Sequence, residues 1–160
     1  MQLLTILTSE ETGRPMTSHE SVELIAGQGI AGDRYATGRG YYSGVTEWDA
    51  QITLIEQEPF DSQDLTKGQK VDPEDLRRNL VTTGVDLTRL IGVRFRIGDT
   101  AVLRGTKLWP PCSYIVRSTG KPEIFTKIGR KSGIGAEVLV SGPIRAGDPI
   151  VILTDGEPVG

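Results

Sequence analysis

Short runs of apolar and β-branched residues recur along the chain, separated by polar residues, glycine and proline. Twenty glycines and nine prolines divide the sequence into short pieces. Apolar runs bounded by turn residues are typical of β-strands. We predict strands at Leu3–Leu7, Ser21–Ile25, Gln51–Ile55, Leu80–Thr83, Arg94–Ile97, Ala101–Lys107, Ala136–Val140 and Pro149–Leu153.

This pattern favours a mainly β fold, a closed or partly open β-barrel with a few short peripheral helices, because short strands with frequent turns must share one core. A chain of 160 residues suits one domain. We therefore predict a single domain over residues 1–160. The end of the chain, residues 154–160, is rich in glycine and proline and is expected to be a frayed tail.

Helical signals are few. The segment Asp72–Leu76 has a helix N-cap, a proline suited to the first turn and two acidic residues, so a short helix should end near Arg77. Two more helices are expected over residues 56–65 and 122–130. The pairs Gly98-Asp99 and Gly147-Asp148 each predict a hairpin turn.

The glycine-rich segment Gly27–Gly44 fits neither a phosphate-binding loop nor a dinucleotide fingerprint, because both need fixed glycine spacing between a strand and a helix. A long loop in a small domain is often functional. This segment is therefore either a cover for a site or a plain connector.

The net charge of −3 hides an asymmetry. Residues 1–80 carry 14 acidic and 7 basic side chains, whereas residues 81–160 carry 7 acidic and 11 basic ones. This difference indicates either a positive concavity or an ordinary mixed surface. The sequence contains no dense basic run interleaved with aromatic residues, so we do not expect nucleic-acid binding. No apolar run approaches the roughly 20 residues of a membrane span, and the start lacks signal-peptide features, so we expect a cytoplasmic protein without a membrane partner.

Cys112 is the only cysteine, and it follows Pro110 and Pro111. Each proline fixes its own φ and restricts the residue before it, so the backbone reaching the thiol is stiff. The thiol is either aimed at a site for sulfur or soft-metal chemistry, or it is a small buried apolar group. Nearby basic residues in the sequence favour an accessible, reactive thiol, namely Arg94, Arg96, Arg104, Lys107 and Arg117.

Three other groups are candidates for chemistry. Arg77-Arg78-Asn79 offers guanidinium forks for phosphate and an amide for the edge of a heterocycle, although paired arginines are also common on solvated surfaces. Asp33-Arg34 could be an internal ion pair that fixes its loop. His19 is the only histidine, and we expect it at the surface.

Four segments occur in one order: Gly29–Arg34, Arg77–Leu80, Pro111-Cys112 and Gly142–Asp148. In order and spacing they resemble the MOSC domain, which takes its name from the C-terminal domain of molybdenum-cofactor sulfurases. The resemblance covers residues 18–152. It implies a barrel-like β fold with a pocket for the molybdenum cofactor (molybdopterin).

The resemblance also implies roles for individual residues. Cys112 matches the cysteine that the family uses as a molybdenum ligand or a sulfur carrier. Arg77 and Asn79 match an Arg-x-Asn element associated with the pterin and its phosphate, and Arg78 fills a variable position. Asp33 and Arg34 match a Gly-x-x-Gly-Asp-Arg element that either binds the cofactor or is structural.

Three functions follow. The first is an oxidoreductase that reduces small N-hydroxylated substrates, with Cys112 bound to molybdenum and electrons supplied by a separate donor protein. In the second, Cys112 carries a persulfide received from a cysteine desulfurase, or the protein carries the cofactor. The third is a non-catalytic β-barrel interaction domain. The pyridoxal-phosphate domain of the sulfurases is not found in the sequence, so this chain is not expected to bind pyridoxal phosphate.

Overall fold

The structure, a computed structural model, describes residues 1–38 and 50–154. Within them the chain forms the strands β1 Gln2–Thr8, β2 Thr17–His19, β3 Ser21–Ile25, β4 Gly29–Ile30, β5 Ile52–Glu56, β6 Leu80–Thr83, β7 Arg94–Ile97, β8 Ala101–Leu108, β9 Ile134–Val140, β10 Gly142–Arg145 and β11 Ile150–Ile152. All eight predicted strands are present, and the mainly β fold is confirmed. The strands β2, β4 and β10 were not predicted.

The helices are short: α1 Glu58–Asp61, α2 Ser113–Thr119, α3 Glu123–Lys127, and 3₁₀ helices at Pro73–Leu76, Leu87–Leu90 and Gly129–Lys131. The predicted helix after Asp72 is therefore a 3₁₀ helix, and a capping box between Asp72 and Asp75 stabilises its N-terminus. The helix predicted over 56–65 shrinks to α1, and the one predicted over 122–130 divides at Ile128. No helix in the described ranges is long and apolar enough to cross a membrane.

A large sheet has the order β11-β7-β8-β9-β5-β6-β1-β2, and a second sheet has the order β10-β3-β4. Of the predicted alternatives, a closed or a partly open barrel, the closed form is not found, because no sheet is closed within the described residues. The strand β2 covers only Ile6–Thr8 of β1 before the chain enters the second sheet. The uncovered start of β1 instead contacts the segment before β11, through a bridge between Gln2 and Pro149 and the Leu3 N–H, which donates to the Asp148 carbonyl at 2.9 Å.

Both predicted turns are present, but only one is a hairpin. Gly98-Asp99 connects β7 to its antiparallel neighbour β8. Gly147-Asp148 lies in a turn in which the Asp148 N–H donates to the Arg145 carbonyl at 3.0 Å. The flanking strands β10 and β11 belong to different sheets, so the second hairpin prediction is wrong.

Two other predictions fall partly outside the described residues. The glycine-rich segment is described as far as Gly38, and residues 39–44 lie outside. Of the predicted tail, residues 155–160 lie outside, whereas the Thr154 carbonyl accepts a hydrogen bond from Arg94 at 3.2 Å. The predicted surface residue His19 is half-buried, with its Nε2 2.7 Å from the Thr8 hydroxyl.

The central strands separate two hydrophobic clusters, because neighbouring residues of a strand face opposite sides of the sheet. In β1, β5 and β6 the first cluster takes Ile6, Leu54 and Leu80. The second cluster takes the adjacent residues Leu7, Ile55 and Val81. The second sheet contributes to the first cluster, and the helices cover the second with residues such as Leu76, Ile115 and Ile124.

Asn79 ties three of these strands together at one end of the sheet. Its Oδ1 accepts hydrogen bonds from the Thr53 N–H at 3.0 Å and the Thr53 hydroxyl at 3.1 Å, and its Nδ2 donates to the Leu7 carbonyl at 3.1 Å. The Asn79 side chain is fully buried. Its amide therefore fixes how β1, β5 and β6 meet.

We expect Asn79→Ala to lower the free energy of unfolding by about 2–4 kcal/mol, because it leaves the buried Thr53 N–H and Leu7 carbonyl without these partners. Gln28→Ala is the control, since this exposed side chain should change stability by less than about 0.5 kcal/mol. Urea unfolding of both variants measures the difference. Equal stabilities would show that the Asn79 amide does not hold the strands.

Candidate functional site

Cys112 lies where the chain leaves β8 and enters α2. It is the N-cap residue of α2, with φ −124° and ψ 167°, and its carbonyl accepts the Ile115 N–H at 3.1 Å. The thiol makes no capping hydrogen bond. The side chain is half-buried and packs against the edge of the second hydrophobic cluster. Cys112 is therefore not sealed in the core.

Cys112 lines a narrow crevice of about 30 Å³. Its neighbours there include three guanidinium groups and three aromatic rings: Arg34, Arg77, Arg78, Tyr35, Trp109 and Tyr114. The fold thus brings Cys112 together with the predicted residues Arg34 and Arg77. Asn79 and Asp33 do not line the crevice; both are fully buried beside it.

The basic residues that lie near Cys112 in the sequence do not surround the thiol in the fold. None of the five basic residues near Cys112 in sequence lines the crevice. Arg104 instead forms an ion pair with Glu137, and Arg117 donates to the Ser113 hydroxyl at 3.2 Å. Residues far apart in sequence supply the positive charge, because the crevice forms where several strand ends meet.

Arg78 is the structural support of this site. It is only 4% exposed, and its guanidinium donates to the carbonyls of Ser132 (2.9 Å), Leu76 (2.8 Å), Trp109 (2.8 Å) and Pro110 (3.3 Å). The interpretation of Arg77-Arg78 as a solvated pair is wrong for this residue. Arg78 holds the connection that leads to Cys112.

Arg77 differs from its neighbour. It is the one non-glycine residue with positive φ in the described part of the chain, at φ 57° and ψ 35°. Such a left-handed conformation costs about 1–2 kcal/mol for a residue with a β-carbon. Its Nη1 donates to the Arg14 carbonyl at 2.6 Å, whereas its Nη2 is buried and has no hydrogen-bond partner in the part of the chain that the structure describes. Burial and the charge of Arg34 lower the pKa of the Arg77 guanidinium. An anion at Arg77 would accept a hydrogen bond from Nη2 and would offset the repulsion between the Arg77 and Arg34 charges.

Asp33 and Arg34 form the predicted internal ion pair, with Oδ1 and Nη1 3.3 Å apart. Asp33 also accepts hydrogen bonds from the Ser9 N–H at 3.1 Å and the Tyr35 N–H at 3.2 Å. Arg34 donates to the Arg77 carbonyl at 2.9 Å. Asp33 therefore orients Arg34, and Arg34 in turn supports the strained turn at Arg77.

An open groove of about 530 Å³ adjoins the crevice, and both are lined by Arg77 and Tyr114. We call it the open groove; its other lining residues are Leu7, Gly13, Pro15, Met16, Ser18, Glu74, Asp75, Ser118 and Thr119. Its volume lies in the range of small-molecule sites. A ligand in the groove would therefore reach the crevice past Arg77.

The tyrosines of the site, Tyr35 and Tyr114, were not predicted. The Arg34 Cζ lies 4.4 Å from the centroid of the Tyr35 ring. The Tyr35 and Trp109 rings pack edge to face, with 6.4 Å between their centroids. The helix α2, which carries Tyr114, was also missed. Its β-branched residues Ile115 and Val116 disfavour helix locally, although Gly120 is a helix-ending signal that was available.

The arrangement places a soft thiol beside cations at the end of a groove. Within the described residues, no group of three or more His, Cys, Asp and Glu side chains could hold a metal ion. The protein atoms alone therefore suit an anionic ligand at Arg77 and one soft ligand bond, or a sulfur transfer, at Cys112.

We expect Arg78→Met to lower the free energy of unfolding by about 3 kcal/mol or more, because each buried carbonyl left unpaired costs about 1–3 kcal/mol. It should also speed alkylation of Cys112 by iodoacetamide in the folded protein, since the connection before the thiol loses its anchor. Arg89→Met is the control, because the Arg89 side chain is 84% exposed. Unchanged stability and alkylation rate in Arg78→Met would contradict this role.

Comparison with known proteins identifies the family and the fold. A family model described as the MOSC domain matches residues 31–151. The fold is similar to that of the YuaD protein from Bacillus subtilis, with 21% identity, a TM-score of 0.73 and 94% of each chain covered. It is also similar to YiiM from Geobacillus stearothermophilus (18% identity, TM-score 0.68, 99% of this chain and 77% of that one) and YiiM from Escherichia coli (19%, 0.61, 99% and 73%). A comparison with curated proteins gave no match. Because the family model spans more than half of the sequence, this chain belongs to the MOSC domain family.

Proposed function

We propose that this protein binds the molybdenum cofactor, with the Cys112 thiolate as a ligand of molybdenum. The observation that carries the proposal is the crevice itself. It places the only cysteine of the chain beside Arg77, whose buried Nη2 has no hydrogen-bond partner among residues 1–38 and 50–154. A buried donor left unpaired costs stability, so its presence favours a ligand that completes it.

The residues present fit this cofactor. A thiolate is a soft ligand that suits a redox-active metal. The planar fork of Arg77 matches the oxygens of a phosphate group. The open groove offers about 530 Å³ for the remainder of the molecule. When bound, the cofactor would supply the oxygen-atom and two-electron chemistry, while the protein supplies binding and electrostatics.

The other predicted residues act through their neighbours in this proposal. Asp33 is fully buried and fixes Arg34, and Arg34 keeps a positive charge on the crevice wall. Asn79 is likewise buried and engaged by Thr53 and Leu7, so we assign it to positioning the turn after Arg77 rather than to contact with the pterin. The rings of Tyr35 and Trp109 line the same crevice as the thiol.

We further propose that the protein is an oxidoreductase that reduces N-hydroxylated compounds. The chain has one cysteine and thus cannot hold an iron–sulfur cluster by itself. We therefore propose that a separate protein delivers electrons to the site. We propose the cytoplasm as the location, since a lone half-buried thiol stays reduced there.

A sulfur carrier is the second candidate, and the size of the crevice favours it. The crevice that Cys112 lines has a volume of about 30 Å³, more than the roughly 10–15 Å³ that one water molecule needs. It would admit the outer sulfur of a persulfide on Cys112. A cysteine desulfurase would then be the partner that supplies the sulfur.

We expect Arg77→Met to weaken binding of the molybdenum cofactor about 10- to 100-fold, the loss for a charge-assisted hydrogen bond of about 1.5–3 kcal/mol. Molybdenum per chain, measured after anaerobic loading over a series of cofactor concentrations, gives the affinity. Arg89→Met is the control, because Arg89 is exposed and pairs with Asp86 away from the groove. Equal affinities in Arg77→Met and the wild type would remove Arg77 from the binding site.

We expect Cys112→Ser to keep its fold and cofactor binding but to lose one sulfur from the molybdenum coordination shell, as measured by X-ray absorption. The reason is that a serine hydroxyl is a hard ligand in place of a soft thiolate. In the wild type, incubation with a cysteine desulfurase and cysteine tests the second candidate. A mass increase of one sulfur atom that Cys112→Ser does not show would support the carrier. Neither molybdenum nor sulfur uptake by the wild type would leave only an interaction domain.

A further inference from the structure

The open groove contains two carboxylates, and only one of them is engaged by the protein. Asp75 accepts hydrogen bonds from the Lys121 ammonium and the Asp72 N–H, both at 2.8 Å. Glu74 is exposed, and its side chain has no hydrogen bond or ion pair within the described residues. Glu74 is therefore the carboxylate that a ligand can use.

The groove also offers apolar surface on which a ring could pack. Leu7, Pro15, Met16 and Tyr114 supply apolar surface along it. Its charged groups are Arg77, which it shares with the crevice, and Glu74 and Asp75 on the preceding 3₁₀ helix, of which Asp75 is already paired with Lys121. A ligand that fits needs an anion for Arg77, an apolar ring system, and hydrogen-bond donors for Glu74.

We propose that Glu74 recognises the amino-pyrimidinone edge of a pterin. This edge presents two adjacent N–H donors, one from the exocyclic amino group and one from the ring, and a carboxylate accepts both with its two oxygens. The inference rests on the proposed function, because the molybdenum cofactor has its phosphate and sulfurs at one end and this edge at the other. Cys112 and Arg77 then take the first end, and Glu74 selects the second.

The test uses two fluorescent probes without phosphate or metal, 6-hydroxymethylpterin and 6-hydroxymethyllumazine. Lumazine has a carbonyl oxygen in place of the amino group, so one hydrogen bond to Glu74 becomes a repulsion. We expect the wild type to prefer the pterin by about 10- to 100-fold in dissociation constant, as for loss of a hydrogen bond to a charged group. Titration with fluorescence detection measures both constants.

Variants of Glu74 make the test specific. Glu74→Gln should lose most of the preference, because its amide offers only one acceptor to two donors. Glu74→Lys should reverse it, because an ammonium donates to the lumazine carbonyl. Glu10→Gln is the matched control, since Glu10 is exposed and lies outside the groove. Urea midpoints close to that of the wild type establish that these surface variants are folded.

The outcomes separate this inference from the proposed function. A wild type that does not discriminate between the probes, or a Glu74→Gln variant that keeps the preference, overturns the role of Glu74. Molybdenum uptake by the wild type and its loss in Arg77→Met would then still support cofactor binding. A preference lost equally in Glu10→Gln would point to a general charge effect and also overturn the inference.

Discussion

The buried guanidinium of Arg78 is the interaction on which the site depends. A charge removed from water is costly unless its N–H groups are hydrogen-bonded. Arg78 meets this requirement with backbone carbonyls from the 3₁₀ helix before it, from the Trp109-Pro110 connection and from the residue that precedes Gly133 and β9. Gly133 has φ 106° there, and a β-carbon would lie 2.1 Å from the Leu54 carbonyl oxygen. The segment that carries Cys112 is thus fixed to the central sheet at several points.

Arg77 and Arg78 are adjacent, yet their environments differ completely. The guanidinium of Arg78 is hydrogen-bonded to four backbone carbonyls, whereas Arg77 has a strained backbone and a buried Nη2 that no described residue pairs with. Strain that persists because surrounding contacts hold it is common at functional sites. Here those contacts are the Arg34 guanidinium on the Arg77 carbonyl and the Glu74 carbonyl on its N–H. Under the proposed function, this turn presents Arg77 to an anion at a cost in stability.

The sequence predicted local features well, because strands and helix caps depend on residues that are close together in the sequence. Every predicted strand formed, and the helix after Asp72 has its predicted start. Strand pairing was harder, because the parallel pair β5–β6 and the open order of the sheet depend on contacts between distant segments. The motifs identified Cys112, Arg34 and Arg77, which the fold brings to one crevice. The burial of Arg78 and the aromatic walls could not be predicted, because they arise only when β8, β9 and the glycine-rich segment meet.

The alternation in β1, β5 and β6 has a consequence for how such a protein can change over time. Adjacent positions such as Ile6 and Leu7, or Leu80 and Val81, belong to separate clusters. Substitutions in one set alter the packing of the second sheet, and those in the other alter the helices beneath the crevice. Adjacent positions of one strand thus affect different parts of the molecule, the packing of the second sheet and the packing of the helices. New ligand preferences can evolve on this fold while its sheet-to-sheet core is conserved.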